Sequence, residues 1–257
     1  MMRVATQRLQ RNFSDAAAHY DARAQFQHTE TLRVLDAARM FFAPSARIAD
    51  IGCGTGYFAA MAQASRPQWN IIGIDIAQGM SEIAATRCTA ITADAACLPL
   101  ADAAVDAAVS SLCYQWVENQ TQAFAELARV LKSGGMAVVA SLGTQSLCEL
   151  RAAAQAAELP LGLLPMRGFE ASKQAWRDSG FTISFAQQRL VTEHYPNVMA
   201  LLDSMRGIGA GNNFKNSRRH IAPKRWAVML RAYEAKRTAQ GIPATWEHHF
   251  FVVHKPA

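Results

Sequence analysis

The sequence predicts a single α/β domain: a mostly parallel, seven-stranded sheet with helices on both faces. Three observations predict it. Short β-like runs alternate with helical ones from residue 47 onward, glycine or proline ends several of the helices, and three closely spaced glycines follow the first strand. With 257 residues, 51% of them hydrophobic and 18% charged, the chain can bury a substantial core. No run of about 18 apolar residues suggests a membrane span. The opening MMRVATQRLQRNFSD lacks the apolar centre of a secretory signal. Five cysteines at 53, 88, 97, 113 and 148 make neither CxxC pairs nor a disulfide framework, as expected of thiols in a reducing cytoplasm.

The elements follow in order. Before the sheet, Phe13, Ala16, Ala17, Tyr20 and Ala24 recur at helical spacing and predict an amphipathic helix. RIADI (47–51) is a strand, YFAAMAQAS a helix stopped by Pro67, NIIGID (70–75) a strand, and Met80 to Arg87 a helix. TAIT, VDAAVSSL and MAVVASL are further strands, and QTQAFAELARVLK is a helix ending at Gly134 and Gly135. KQAWRDSG is a helix with a glycine stop, and FTISFAQQRLVTEHY a long strand. A largely helical segment from Pro196 to about Ile242 then precedes the last strand, TWEHHFFVVHK. That crossover is longer than a connection requires, so it is expected to form a cap. The expected organisation is an N-terminal lid over 1–44, a core over 45–142, the rest of the sheet over 143–195, the cap over 196–243 and a closing strand over 244–257.

The most specific local signal is IADIGCGTGYFAAMA. Gly52, Gly54 and Gly56 let the chain turn sharply from strand to helix and bring backbone N–H groups against a ligand. The dinucleotide spacing is G-x-G-x-x-G, whereas here it is G-x-G-x-G with Asp50 two residues before the first glycine. A carboxylate there repels phosphate and suits an ammonium or sulfonium. Asp75 ends the next strand, 23 residues beyond Gly52, where an acid receives ribose hydroxyls. Asp94 follows the third strand and can accept from an adenine amino group. These features point to S-adenosylmethionine, with S-adenosylhomocysteine as product. Over Ile48 to Leu142 the chain resembles the Rossmann-like class I methyltransferases, and LKSGG before the fifth strand is another of their marks. The candidate cofactor residues are Asp50, Gly52, Cys53, Gly54, Gly56, Asp75, Ile76, Met80, Asp94 and Ala95. No metal site is expected.

The methyl acceptor must be argued from outside that half. No catalytic Asp–His pair or NPPY-like motif follows the fourth strand; SSLCYQWVEN stands there instead. An acceptor that needs no base is already an anion, and arginine suits a carboxylate. RNFSDAAAHYDARAQFQ, SSLCYQWV and LLDSMRGIGA together resemble the malonyl-acyl-carrier-protein O-methyltransferase family of biotin synthesis, from about Phe13 to Val253. The chain departs from that pattern at Ser111 and in the basic stretch GNNFKNSRRH.

The resemblance implies that Tyr20 closes over cofactor and substrate, that Arg206 pairs with the malonyl carboxylate, and that Gln115 and Trp116 line the acceptor side. The net charge of +6 suits an acidic acyl carrier protein. Lys215, Arg218, Arg219, Lys224 and Arg225 are the candidate basic rim for it. A cytoplasmic monomer with no nucleic-acid or membrane partner is expected. The alternatives are a small-molecule, quinone-type methyltransferase and a tRNA methyltransferase.

Overall fold

The computed structural model describes residues 4–159, 163–210 and 222–257. Its sheet has seven strands: β1 (Arg47–Ile51), β2 (Asn70–Asp75), β3 (Thr89–Thr92), β4 (Val105–Ser111), β5 (Leu131–Leu142), β6 (Thr182–Tyr195) and β7 (Ile242–His254). Their order is β3-β2-β1-β4-β5-β7-β6, and β7 alone runs antiparallel to its neighbours. The seven strands expected from the sequence are therefore all present.

Alternation along each strand feeds two layers. On one face, Ile51, Ile74, Val139, Phe251 and Val253 pack on α5 (Gln120–Val130) and α7 (Phe169–Asp178) through Phe124, Leu127 and Trp176. On the other face, Ile48, Val109, Val138, Phe250 and Val252 meet α2 (Gln25–Phe41) and α3 (Tyr57–Gln63). Val34, Leu35 and Ala38 of α2 are fully buried there; burial of the first two side chains stabilises the fold by roughly 1.5–3 kcal/mol each. A helix lying within the stretch 1–44 thus forms part of the core layer. Its neighbour α1 (Val4–Tyr20) lies instead over α4 (Gln78–Ala84), with Phe13, Ala17 and Tyr20 against Ala77, Met80 and Ile83.

The end of α5 differs from expectation. The helix stops at Val130 rather than running to Lys132, and Leu131 already pairs with Val105 of β4. The register next resumes at Ala107 and Met136, so Lys132–Gly135 bulges outward. The Lys132 ammonium is held by Asp106 at 2.6 Å, and Gly134 supplies the left-handed turn at φ 74°. Sheet pairing and that ion pair override helical propensity here.

A third core unites α6 (Cys148–Ala156), α8 (Val198–Gly207), α9 (Pro223–Glu234) and the first half of β7 through Leu150, Leu201, Leu202, Met229, Tyr233 and Trp246. Asn197 caps α8 by accepting from the Ala200 N–H at 2.9 Å. Among the described residues, no helix is long and apolar enough to cross a membrane.

Candidate active site

Two adjoining cavities open at the C-terminal ends of β1, β2 and β4, where the strand order reverses. The first, about 380 Å³, is lined by Gly52, Gly54, Asp75, Ile76, Met80, Asp94 and Ala95, among others. Seven of the ten cofactor residues expected from sequence are therefore brought together on its wall. Gly52 is required sterically: with φ 74°, a Cβ there would lie 2.3 Å from the Cys113 Cβ. Asp75 is oriented by two backbone donors, Gly54 N–H at 2.9 Å and Ala77 N–H at 2.8 Å. Asp94 accepts from Ala96 N–H at 2.9 Å.

The other three candidates lie off that wall. Cys53 is buried under the sheet against Gly73 and Cys88. Gly56 starts α3 at φ 81°, and its bare α-carbon lets the chain pass Ala84. Asp50 sits one layer back, 3% exposed, and its Oδ2 has no hydrogen-bond partner. Burial, then the nearby Asp75, pushes the Asp50 carboxyl up to about 8. Burial also raises Asp75, against the pull of its two backbone hydrogen bonds.

This chemistry tests the expected cofactor directly. Although the chain is basic overall, this wall is acidic: Asp75 and Asp94 line it, with Asp50 behind. An orphaned carboxylate oxygen beside such a wall suits a cationic ligand and disfavours a pyrophosphate. The residues fit S-adenosylmethionine.

The second cavity, about 770 Å³, is mainly apolar, with Phe26, Leu147, Leu163, Met166, Met205 and Trp246 in its wall. Gln115 lines it, and Tyr20 and Trp116 line both cavities. A short 3-10 turn, Tyr114–Trp116, places Gln115 and Trp116 side by side. The Gln115 amide nitrogen donates to Leu112 O at 2.8 Å, while its Oε1 is buried without a partner. Trp116 meets Phe13 of α1 edge-on, with centroids 5.4 Å apart. Burial, then Asp75 and Asp21, drives the Tyr20 phenol far up, so it is protonated at neutral pH.

Arg206 is on neither wall. Its Nη1 pairs with Asp203 one turn back on α8, and its Nη2 is buried without a partner. The neighbouring glycines have a packing role. A Cβ on Gly207 would meet Arg23 at 2.7 Å, and one on Gly209 would meet Asn12 O at 2.9 Å. Gly79 of α4 likewise passes within reach of Ser14 O, 2.7 Å from its virtual Cβ. Helix α1 is thus threaded between α4 and the end of α8.

Of the candidate basic rim, Lys215, Arg218 and Arg219 lie outside the described residues. Lys224 is exposed at the start of α9, and Arg225 bonds Glu158 Oε2 at 3.3 Å.

Sequence reasoning missed a clasp at the α1–α2 junction. Asp21 accepts from Thr55 Oγ at 2.6 Å and from Arg87 Nη2 at 2.8 Å, and His28 Nε2 approaches it at 3.5 Å. His28 in turn stacks on Tyr57 at 3.7 Å. The residues come from four separate segments, so no local pattern announces them. It also missed Arg167, which stands in a loop without periodicity. Among the described residues, no group of three His, Cys, Asp or Glu is placed to hold a metal ion.

Comparison with known proteins places the chain among methyltransferases. A methyltransferase-domain family matches residues 49–139. A malonyl-[acyl-carrier protein] O-methyltransferase from Methylococcus capsulatus is 33% identical, over 94% of this chain and 90% of its own length. The biotin biosynthesis bifunctional protein BioHC of Saccharophagus degradans is 34% identical over 95% of this chain, which spans only 46% of that longer relative. Among solved structures, the methyltransferase complexed with the Haloferax volcanii Trm112 activator has a TM-score of 0.64 at 17% identity, covering 97% of this chain and 98% of that one.

Proposed function

Because this chain belongs to the malonyl-acyl-carrier-protein O-methyltransferase family, we propose that it methylates the free carboxylate of a malonyl group carried on the phosphopantetheine arm of an acyl carrier protein. The observation that carries this reading is the pair of cavities sharing one wall: a small anionic one and a larger apolar one, joined at Tyr20 and Trp116. The product is a methyl ester, an early step of biotin synthesis. S-Adenosylmethionine supplies an electrophilic methyl group on a cationic sulfur.

The chain's own residues position and shield. Asp75 is set to receive ribose hydroxyls, Asp94 an adenine amino group, and Asp50 lends negative charge beside the methionyl amine. Met80 and Ile76 contribute the apolar part of that wall. The acceptor carboxylate is ionised at neutral pH because carboxylic acids titrate near 4, so no proton has to be removed. That matches the wall: burial raises both the Tyr20 phenol and the Cys113 thiol far enough that neither is a base at pH 7. Gln115 lines the acceptor cavity, and its buried Oε1 has no partner within the protein. Phe13 and Trp116, packed on each other over the shared wall, keep water from the reacting centre. Exposed Lys224 is one candidate contact for an acidic carrier, and the net charge of +6 favours such an encounter. The quinone-type and tRNA alternatives have no comparable support among the relatives.

Mass spectrometry of malonyl-loaded carrier protein, incubated with enzyme and S-adenosylmethionine, tests the proposal. A gain of one methylene on the malonyl arm is expected. An unchanged mass from folded enzyme that binds S-adenosylhomocysteine would refute it.

A further inference from the structure

We propose that Arg167 is the cation that receives the acceptor carboxylate, an inference that rests on the methyl-transfer reading above and names the contact that selects its substrate. An apolar cavity of about 770 Å³ would bind a neutral chain as readily as a charged one unless a cation stood in its wall. Two arginines, Arg8 and Arg167, line it among the described residues. Arg8 is exposed on the lid helix and already engaged by other groups of the protein. Arg206, whose place in LLDSMRGIGA first suggested this role, pairs with Asp203 and is off the wall.

Arg167 differs on each point. It is half-buried and has no hydrogen bond or ion pair among the described residues. It faces both the large cavity and a recess of about 20 Å³ beneath it, and it shares both with Gln115, Gln120 and Leu142. Gln115 in turn is the chain neighbour of Trp116, which lines both cavities, so Arg167 and the shared wall border the same acceptor chamber. The Arg167 guanidinium is not sealed from the cavity, so it is open to a carboxylate that makes a two-pronged contact with it.

The loop that carries Arg167 is built to hold position. Arg151 of α6 donates from Nη2 to Leu164 O at 2.9 Å and from Nε to Ser146 O at 3.1 Å, tying the loop to the end of β5. Three residues after Leu164 the chain reaches Arg167, and Gly168 then starts α7. The anchor is therefore fixed between two helices and does not depend on closure of the lid. Selection follows from the chemistry: a malonyl group presents an anion to Arg167, an acetyl group has none, and the methyl ester product has lost it. The same contact that admits substrate therefore releases product.

The experiment uses the full chain loaded with S-adenosylhomocysteine, with malonyl-N-acetylcysteamine and its methyl ester as probes, and measures binding by ligand-observed NMR. Methylation of malonyl-loaded carrier protein is measured in parallel. The wild type is expected to bind the acid and not the ester. Arg167→Met is expected to lose about 10- to 100-fold in affinity for the acid and in kcat/KM, the value of a charged hydrogen-bonded contact, while S-adenosylhomocysteine affinity stays unchanged. Arg167→Lys should recover part of the loss, which a merely structural role would not predict. Equal binding of acid by wild type and Arg167→Met, or loss in Arg206→Met alone, would overturn the assignment. Binding of the acid through Arg167 with no methylation of the carrier-bound substrate would instead overturn the methyl-transfer reading.

Discussion

Asp50 illustrates how one residue can couple a ligand to protons. Its carboxyl is pushed up to about 8 by burial and by Asp75, so it is mostly protonated in the ligand-free protein at pH 7. A cationic ligand favours the ionised form. Binding of S-adenosylmethionine at pH 7 should therefore release close to one proton, and affinity should rise with pH until about 8 and then level off. Calorimetry in buffers of different ionisation heat reads this directly; Asp50→Asn should abolish the release. The sign for stability is the reverse of the usual carboxylate. A folded-state value above the unfolded one means that the free protein loses stability as pH rises from about 4 through 8, and the ligand cancels that loss. Asp75 and Asp94 could be put on the cavity wall from sequence because each stands at or just beyond a strand end, whereas the same reasoning did not show that Asp50 sits one layer back. Arg206 and Arg167 were not separable there: one sits in a recognisable motif and the other in none, and only tertiary packing decides which faces the cavity.

Among the elements, the turn between α1 and α2 is held by side chains rather than by a core. Burial opposes the ionised Asp21, but hydrogen bonds from Thr55 and Arg87 outweigh it and hold its carboxyl below the usual carboxylate range. The stabilisation is present above about pH 4 and fades as pH falls through the lowered value. Asp21→Ala should cost about 1–2 kcal/mol, since the pair is partly exposed, and should speed protease cleavage at the junction. Denaturant titration and limited proteolysis check both; unchanged cleavage would show that α1 is held by its apolar face alone. The strands and most helices were readable because alternation and glycine stops act locally. The early end of α5 was not, because the competing forces, Leu131 on Val105 and Lys132 on Asp106, come from residues about 26 positions away. Nor did the glycines of RGIGA announce their partner. They follow the arginine that the family resemblance singles out, and they are where the backbone of α1 crosses.

For the whole molecule, that crossing joins the two cavities mechanically. α1 touches α4 at Gly79 on the donor side and the end of α8 at Gly209 on the acceptor side, so one helix bears on both chambers. Occupancy of one cavity should therefore raise affinity in the other, by the same factor in each direction. Titration of malonyl-N-acetylcysteamine with and without S-adenosylhomocysteine measures it, and the coupling should shrink in Gly209→Ala, where the added methyl forces α1 away. Equal affinities in the presence and absence of S-adenosylhomocysteine would refute the linkage. The basic charge of the chain also belongs to this scale. It was visible at once, yet its sign misdescribes the cofactor cavity, where Asp75 and Asp94 set the local field.

The shared partition between the two chambers bears on redesign. Leu9, Phe13, Leu112 and Val117 face donor and acceptor alike, so a change made there to admit a bulkier acid would also disturb the methyl source. Phe26, Leu147, Met166 and Trp246 face the acceptor chamber only. A library intended to broaden the range of esterified acids has its useful diversity at those four positions.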